Sequence, residues 1–270
     1  MPDHRRGCLW GVSLGPGDPD LMTRRAHALL QRQDAVWTYP VRSTRSESYA
    51  LAIAERAGLA RPPLHQALLF PMTHDAEKLA RHWLAGASQV LAHLEAGRDV
   101  MFLVEGDAST FATFGHLART LRGLQPEVGI EVVPGVASFL ASCARLQWPL
   151  AEQDDTVAIV PAAYGVDMVE RLLDDFDTLV LLKVKPLLDP LIALLERRGL
   201  LAGSCFIEKA GAPDERVVRD LRELPGTAVN YLSLLIVKNP GRLRGERVRG
   251  CRPKPGLRRE MQGEPDAPRA

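Results

Sequence analysis

Residues 9–22 read LWGVSLGPGDPDLM. The first six, 9–14, are mostly apolar and have the composition of a buried strand. They run into Gly15-Pro16-Gly17-Asp18-Pro19-Asp20, after which Leu21, Met22, Ala26, Leu29 and Leu30 fall on one helical face. A strand, a glycine turn and a helix in direct succession form the first unit of an α/β chain. The two glycines accept positive φ and leave a surface free of side chains, and Asp18 or Asp20 is placed to cap the helix. The spacing is neither G-x-x-x-x-G-K-[ST] nor G-x-G-x-x-G, so both nucleotide phosphate fingerprints are absent, and the acidic residues oppose a pyrophosphate. Taken alone, the loop serves a plain turn as well as it serves a ligand.

The alternation continues along the chain. Strands are predicted at 35–39, 68–72, 100–104 and 130–133, between helices at 21–33, 47–57, 76–96, 111–121 and 137–146. After the polar stretch 149–155 a second series follows, with strands at 156–160, 178–184, 205–208, 215–221 and 231–237 and helices at 166–173 and 187–198. This order predicts two α/β domains, 7–150 and 151–240, with largely parallel sheets and a ligand cleft between them. From 241 to 270 Arg, Pro and Gly dominate without periodicity, the composition of a disordered basic tail.

The 270 residues carry 34 Lys+Arg against 33 Asp+Glu, a net charge of +1, and are 46% hydrophobic. That composition excludes wholesale disorder and a surface built as a whole for nucleic acid. Nine Lys/Arg against four Asp/Glu from Arg242 onward give that segment +5 and leave −4 for the rest. The tail reads either as a solvated extension or as a steering device for an anion. No run approaches the length of a membrane span, and the N-terminus lacks the apolar core of a secretory signal. The cysteines Cys8, Cys143, Cys205 and Cys251 are widely spaced, without C-x-x-C, as expected for reduced thiols in a cytoplasmic protein. There is no H-E-x-x-H, and His74 and His82 read as solvent-facing, so no metal site is expected.

Two further small-residue loops follow predicted strands. One is Glu105-Gly106-Asp107-Ala108-Ser109-Thr110, the other Pro134-Gly135-Val136-Ala137-Ser138. Ligands of α/β proteins gather outside the carboxyl ends of strands. Glu105 can accept hydrogen bonds from a ribose or an amino group, while Asp107 reads equally as a helix cap. Three such loops in one half of the chain favour a ligand crevice.

The segments GVSLGPGDPDLMT, FLVEGDASTF and VVPGVASFLASCARL, in this order, resemble the tetrapyrrole methylase family of S-adenosylmethionine-dependent methyltransferases. YPVRSTRSESYALAIAERA and the long stretch from LFPMTHD to GRDV resemble the branch that methylates C-20 of precorrin-2 in cobalamin biosynthesis, and TLVLLKV, FIEKAG and NYLSLLIV fit it as well. The resemblance spans residues 7–240. It implies a homodimer of two-domain chains, with the donor S-adenosylmethionine in the cleft, no resident metal, and precorrin-2 or cobalt-factor II as acceptor. No nucleic acid or membrane partner is implied. By position it puts donor contacts at Leu14 and Pro16, at Gly106, Asp107 and Thr110, and at Ala137 and Ser138, with Leu182, Lys183 and Ala210 from the second domain. Ser13 stands where glycine is common, Ala108 where proline is common after the aspartate, and an aromatic is frequent near Thr110, departures that bear on loop rigidity.

A sulfonium methyl is already activated and a reduced tetrapyrrole carbon is electron-rich, so alignment alone supplies roughly 7–11 kcal/mol. A base for the proton lost from carbon adds about 10²–10⁴-fold, and Asp18 and Glu105 are the candidates. Arg42 and Arg45, just past the strand at 35–39, either grip the acceptor's carboxylates or belong to a solvated loop. Two readings stand beside this one: another methylase of the same family, acting on uroporphyrinogen III or a later precorrin, and a scaffold that binds a tetrapyrrole or the donor without turnover. A nicotinamide oxidoreductase lacks its glycine fingerprint here.

Overall fold

A computed structural model describes residues 6–73 and 75–245. The first series comprises β1 (Cys8–Ser13), α1 (Arg24–Leu30), β2 (Val36–Val41), α2 (Tyr49–Arg56), β3 (His65–Leu69), α3 (Ala76–Glu95), β4 (Val100–Val104), α4 (Phe114–Leu124), β5 (Gly129–Val133) and α5 (Ser138–Leu146). The second comprises β6 (Val157–Pro161), α6 (Val166–Asp175), β7 (Thr178–Leu182), α7 (Leu188–Arg197), β8 (Ser204–Glu208), β9 (Arg216–Val218) and β10 (Ser233–Lys238). No helix among the described residues is long and apolar enough to cross a membrane.

The first sheet has the order β3-β2-β4-β1-β5 and is parallel throughout. Its central strand β4 is buried at every residue, as strands covered on both faces are. Met101 and Leu103 point into the core shared with α1 and α2, beside Trp37, Leu30 and Ile53. Val100, Phe102 and Val104 point the other way, against Leu94 of α3 and Leu117 and Leu121 of α4, the period-2 alternation of a strand.

The second sheet corrects the expectation of largely parallel pairing. Its order is β6-β7-β10-β8-β9, and only β6 and β7 run parallel; β10 is antiparallel to both β7 and β8, and β9 to β8. A parallel step needs a crossover of a dozen or more residues, usually a helix, whereas only β9 and one 3-10 turn separate β8 from β10. One face of this sheet packs on α6 and α7 through Val169, Leu173, Leu191 and Leu195. The other is covered by α5, whose Phe139, Cys143 and Leu146 meet Val180, Cys205, Ile207 and Ile236. The last helix of the first series thus builds the core of the second sheet.

Several boundaries move for local reasons. α1 begins at Arg24, not at residue 21, because Pro19–Leu21 forms a 3-10 turn. Asp18 Oδ1 caps that turn by accepting from Asp20 N at 2.9 Å, and the Thr23 hydroxyl caps α1 by accepting from Ala26 N at 3.2 Å. β3 forms at His65–Leu69, upstream of the apolar run at 68–72: it is an edge strand with exposed residues and needs only Leu68 inward. α4 starts three residues after Phe111, which has a φ of 51°.

The expected tail is described only as far as residue 245; residues 246–270, with Cys251, lie outside the described residues, as does His74. Its first residues are tied down. Asp177, 5% exposed, accepts from Thr156 N at 2.8 Å, the Thr156 hydroxyl at 2.9 Å, Arg242 Nη1 at 3.0 Å and Arg244 Nε at 2.8 Å. Burial opposes the charge on Asp177, but the hydrogen bonds from Thr156 and Arg244 outweigh it and bring the carboxyl from 3.8 down to about 2. A folded value below the unfolded one contributes stability above about pH 4 that fades as pH falls toward 2. A chain ended at Gly241 loses both arginines and keeps the buried carboxylate. It is expected to lose about 1–2 kcal/mol at pH 7 in urea unfolding, since the whole shift of Asp177 is worth little more and Thr156 keeps its share. The deficit shrinks below pH 4; equal stability at pH 7 would refute the latch.

Candidate functional site

Because the first sheet is parallel, the carboxyl ends of β1, β4 and β5 share one edge. The loops after β1 and β4 are joined there by two backbone hydrogen bonds: Gly15 N donates to Gly106 O at 3.2 Å and Gly106 N to Gly15 O at 2.7 Å. Both residues have positive φ, 79° and 73°, which glycine adopts without a Cβ penalty. Asp107 then ties the second loop to the third. Its Oδ2 accepts from Gly135 N at 2.9 Å, and its Oδ1 accepts from Ser109 N at 2.9 Å and from the Thr110 hydroxyl at 3.2 Å. Asp107 is therefore a cross-loop tie, not a cap of α4, which starts without a side-chain cap.

Two of the three sequence departures, Ser13 and Ala108, meet each other. The buried Ser13 hydroxyl accepts from Ala108 N at 2.9 Å. Proline at 108 would have no N–H and glycine at 13 no oxygen, so this pair holds the loop by a hydrogen bond where a ring would hold it by covalent restraint.

The first loop also rests directly on the second sheet. A Cβ on Gly17 would stand 2.7 Å from Ala212 N and 2.8 Å from Ala210 O, in the loop after β8. From α2, Arg56 Nη2 donates to Gly17 O at 2.7 Å and the Tyr49 hydroxyl to Pro16 O at 3.2 Å.

Between the sheets lies a cavity of about 590 Å³, in the range of small-molecule sites. Of the predicted residues it gathers Pro16, Arg42, Glu105, Gly106, Asp107, Thr110, Ala137, Ser138, Leu182, Lys183 and Ala210 in its walls. Three others stand apart. Leu14 is fully buried in the core beneath the loop, Asp18 is engaged in its cap, and Arg45 sits in an exposed turn outside the lining. Arg42 lies 4.7 Å over the ring of Tyr231 and so spans the mouth of the cleft from the first sheet to the second.

Lys209, Tyr231, Tyr49, Met72 and Phe111 also line the cavity and were missed by sequence reasoning. Tyr231 could not be found from a parallel reading, which sends the start of the last strand to the far edge; the antiparallel β10 brings it back. Lys209 follows β8 in the FIEKAG segment and is ion-paired with Asp214. Lys183 makes no side-chain hydrogen bond or ion pair among the described residues.

Burial pushes the Glu105 carboxyl above the usual carboxylate range, against smaller opposing effects of its own backbone N–H and of Arg42. Burial likewise raises the Tyr49 phenol. α5 begins without a side-chain cap at Ala137, leaving N–H groups of its first turn at the cavity wall, where an anion is favoured. The site therefore offers a carboxyl that is easily protonated, cations, a helix start and apolar surface around one volume.

The sequence profile described as Tetrapyrrole (Corrin/Porphyrin) Methylases matches residues 8–225. The cobalamin biosynthesis protein CobIJ of Mycobacterium tuberculosis is 31% identical over 241 residues, which cover 86% of this chain and 46% of that protein; the chain spans about half its length. The cobalt-precorrin-2 C(20)-methyltransferase of Salmonella typhimurium is 33% identical over 232 residues, covering 86% of this chain and 96% of that one. Among solved structures, the uroporphyrin-III C-methyl transferase of Thermus thermophilus complexed with S-adenyl homocysteine has a TM-score of 0.61 at 27% identity, covering 86% of this chain and 92% of that one.

Ser13→Gly leaves the Ala108 N–H buried without a partner and is expected to cost about 1–3 kcal/mol. Ala108→Pro added to it removes that donor and is expected to restore part of the loss. Denaturant unfolding of both single variants and the double variant checks this: purely additive losses would mean that the two positions are not coupled.

Proposed function

The chain belongs to the tetrapyrrole (corrin/porphyrin) methylases, and from that premise we propose that it transfers a methyl group from S-adenosylmethionine to the C-20 meso carbon of precorrin-2 or cobalt-factor II in cobalamin biosynthesis. The observation that carries this reading is the cleft itself, where the three joined loops of the first sheet face strand ends of the second. Its likeness along 96% of the Salmonella typhimurium enzyme supports the choice of acceptor.

The residues present fit the donor. Glu105, largely desolvated and without an ion pair among the described residues, suits an amino group or a ribose hydroxyl. The uncapped start of α5 at Ala137 and Ser138 suits a carboxylate. Pro16, Leu182 and Ala210 supply apolar contact, Gly106 and Thr110 the loop edge, and Leu14 supports the first loop from below. When bound, the donor supplies a methyl on a sulfonium, which needs no covalent activation by the protein.

What this chain contributes is position. Loops pinned to one another hold the two reactants in line, worth roughly 7–11 kcal/mol, and closure between the sheets excludes water. Glu105 takes the proton released from the methylated carbon; burial raises its pKa above the ordinary carboxylate range and so strengthens it as a base. Asp18 has no part in this, since its carboxylate caps a turn. Arg42 and Lys183 hold carboxylate arms of the acceptor.

The same reading has the chain acting as a homodimer in the cytoplasm, without nucleic acid or membrane, in two units of 7–150 and 151–240. The resemblance over 7–240, the near-neutral charge and the free thiols of Cys8, Cys143 and Cys205 support it.

Incubation with S-adenosylmethionine and, separately, precorrin-2, cobalt-factor II and uroporphyrinogen III, followed by mass spectrometry, is expected to give a single added methyl on one of the first two. Methylation of uroporphyrinogen III alone, or of none, would reject the assignment. Glu105→Gln is expected to lower kcat about 10²–10⁴-fold and to abolish the acidic limb of the pH profile, which lies above the ordinary carboxylate range because the base must be ionised and burial favours its proton. Full activity in Glu105→Gln would remove it as the base.

A further inference from the structure

Five non-glycine residues among those described have positive φ: Phe111 at 51°, Gln147 at 58°, Gln153 at 47°, Lys183 at 57° and Lys209 at 51°. Local structure accounts for two of them. Gln147 is the C-cap of α5, and Gln153 sits in the turn before β6. The other three line the cleft. Left-handed backbone is unfavourable for any residue with a Cβ, most of all a bulky one. Such strain persists where the surroundings enforce it, and it concentrates at functional sites.

Phe111 is also 51% exposed, so the chain holds a large apolar ring in a disfavoured backbone state and leaves half of it in water. The residue before it is held: Thr110 N donates to Asp107 O at 3.1 Å, and the Thr110 hydroxyl to Asp107 Oδ1 at 3.2 Å. Met72, 59% exposed, lines the same cavity. Phe70 and Phe102 line the same cavity and meet edge to face at 6.3 Å, and Phe70 is stacked on Trp83 at 4.3 Å. The second sheet contributes Lys183, strained and without a side-chain partner among the described residues. The cleft thus joins apolar and aromatic surface to cations from both sheets, Arg42 from the first and Lys183 from the second. A flat macrocycle with carboxylate arms carries the same two kinds of surface.

We propose that Phe111 binds the acceptor: with Met72 it forms the platform for the face of the macrocycle, while Lys183 takes a carboxylate arm. The strained backbone keeps the ring over the cavity so that the acceptor need not order it. This rests on the methyl-transfer reading and adds the group that recognises the acceptor, which touches substrate but no reacting atom.

The test uses Phe111→Gly, Phe111→Ala and Phe111→Leu in the full chain, with precorrin-2 as the probe. Glycine removes the ring and is at ease at this φ; alanine removes the ring and keeps the strain. In both, KM for precorrin-2 is expected to rise about tenfold or more, while kcat at saturation and the donor dissociation constant measured by calorimetry change less than about threefold. Phe111→Gly is expected to melt at or above the wild-type temperature, and Phe111→Leu to recover part of the affinity. An unchanged KM in Phe111→Gly overturns the proposal. So does a lowered melting temperature together with weakened donor binding, which marks a structural role. The wild type separates the two possible failures: if it methylates no tetrapyrrole, the methyl-transfer reading falls and the platform with it, whereas an active wild type with indifferent variants removes the role of Phe111 alone.

Discussion

The paired hydrogen bonds between Gly15 and Gly106 are the constraint on which the site depends. They form an isolated antiparallel bridge just past the parallel pairing of β1 and β4 and fix where both loops leave the sheet. From there Ser13 holds Ala108 and Asp107 holds Gly135, so the ends of three strands form one unit. Each such bond is worth only about 1 kcal/mol net. Their joint effect is that the loops are ordered during folding, and a ligand meets a surface already set.

The opposite wall is held by different means. α5 leaves the third loop and buries Phe139, Cys143 and Leu146 against the second sheet, so the start of that helix is positioned by one sheet through the chain and by the other through packing. The first loop meets the second sheet with no side chain between them at Gly17. Arg56 and Tyr49 pull on its carbonyls from the other side. Glu105 lies where these surfaces converge, which is why water is scarce around its carboxyl.

Much of this was legible in the chain. β4 announces itself as five uncharged apolar residues, and glycines after β1 and β4 mark loops that a parallel sheet must bring to one edge. The order of elements also distinguishes two sheets. Pairing direction in the second was not legible, because nothing in NYLSLLIV says whether the strand runs up or down; that depends on the length of chain between β8 and β10. The role of Asp107 was hidden for a related reason. An aspartate three residues past a strand reads as a cap, whereas Gly135, which it ties to the loop, is 28 residues away. Asp18 and Arg45 show the reverse case: residues of suitable chemistry near a strand end lie outside the cavity lining, one engaged in a local turn and one exposed. Strain at Phe111 leaves no trace in the sequence, since it is imposed by neighbours and not by composition.

The position of β10 bears on how this protein is made. Among the described strands β10 is the last to be synthesised, yet it lies between β7 and β8 in the middle of the second sheet. Until it emerges, β7 and β8 lack the partner that joins them, and each presents an unpaired edge of buried, apolar composition. The first sheet contains all its strands by residue 133 and can close while synthesis continues. The second cannot, and completes only when nearly the whole described chain has been released. During synthesis the nascent protein therefore carries a finished half beside an adhesive, incomplete one, and that interval is when it is most exposed to aggregation.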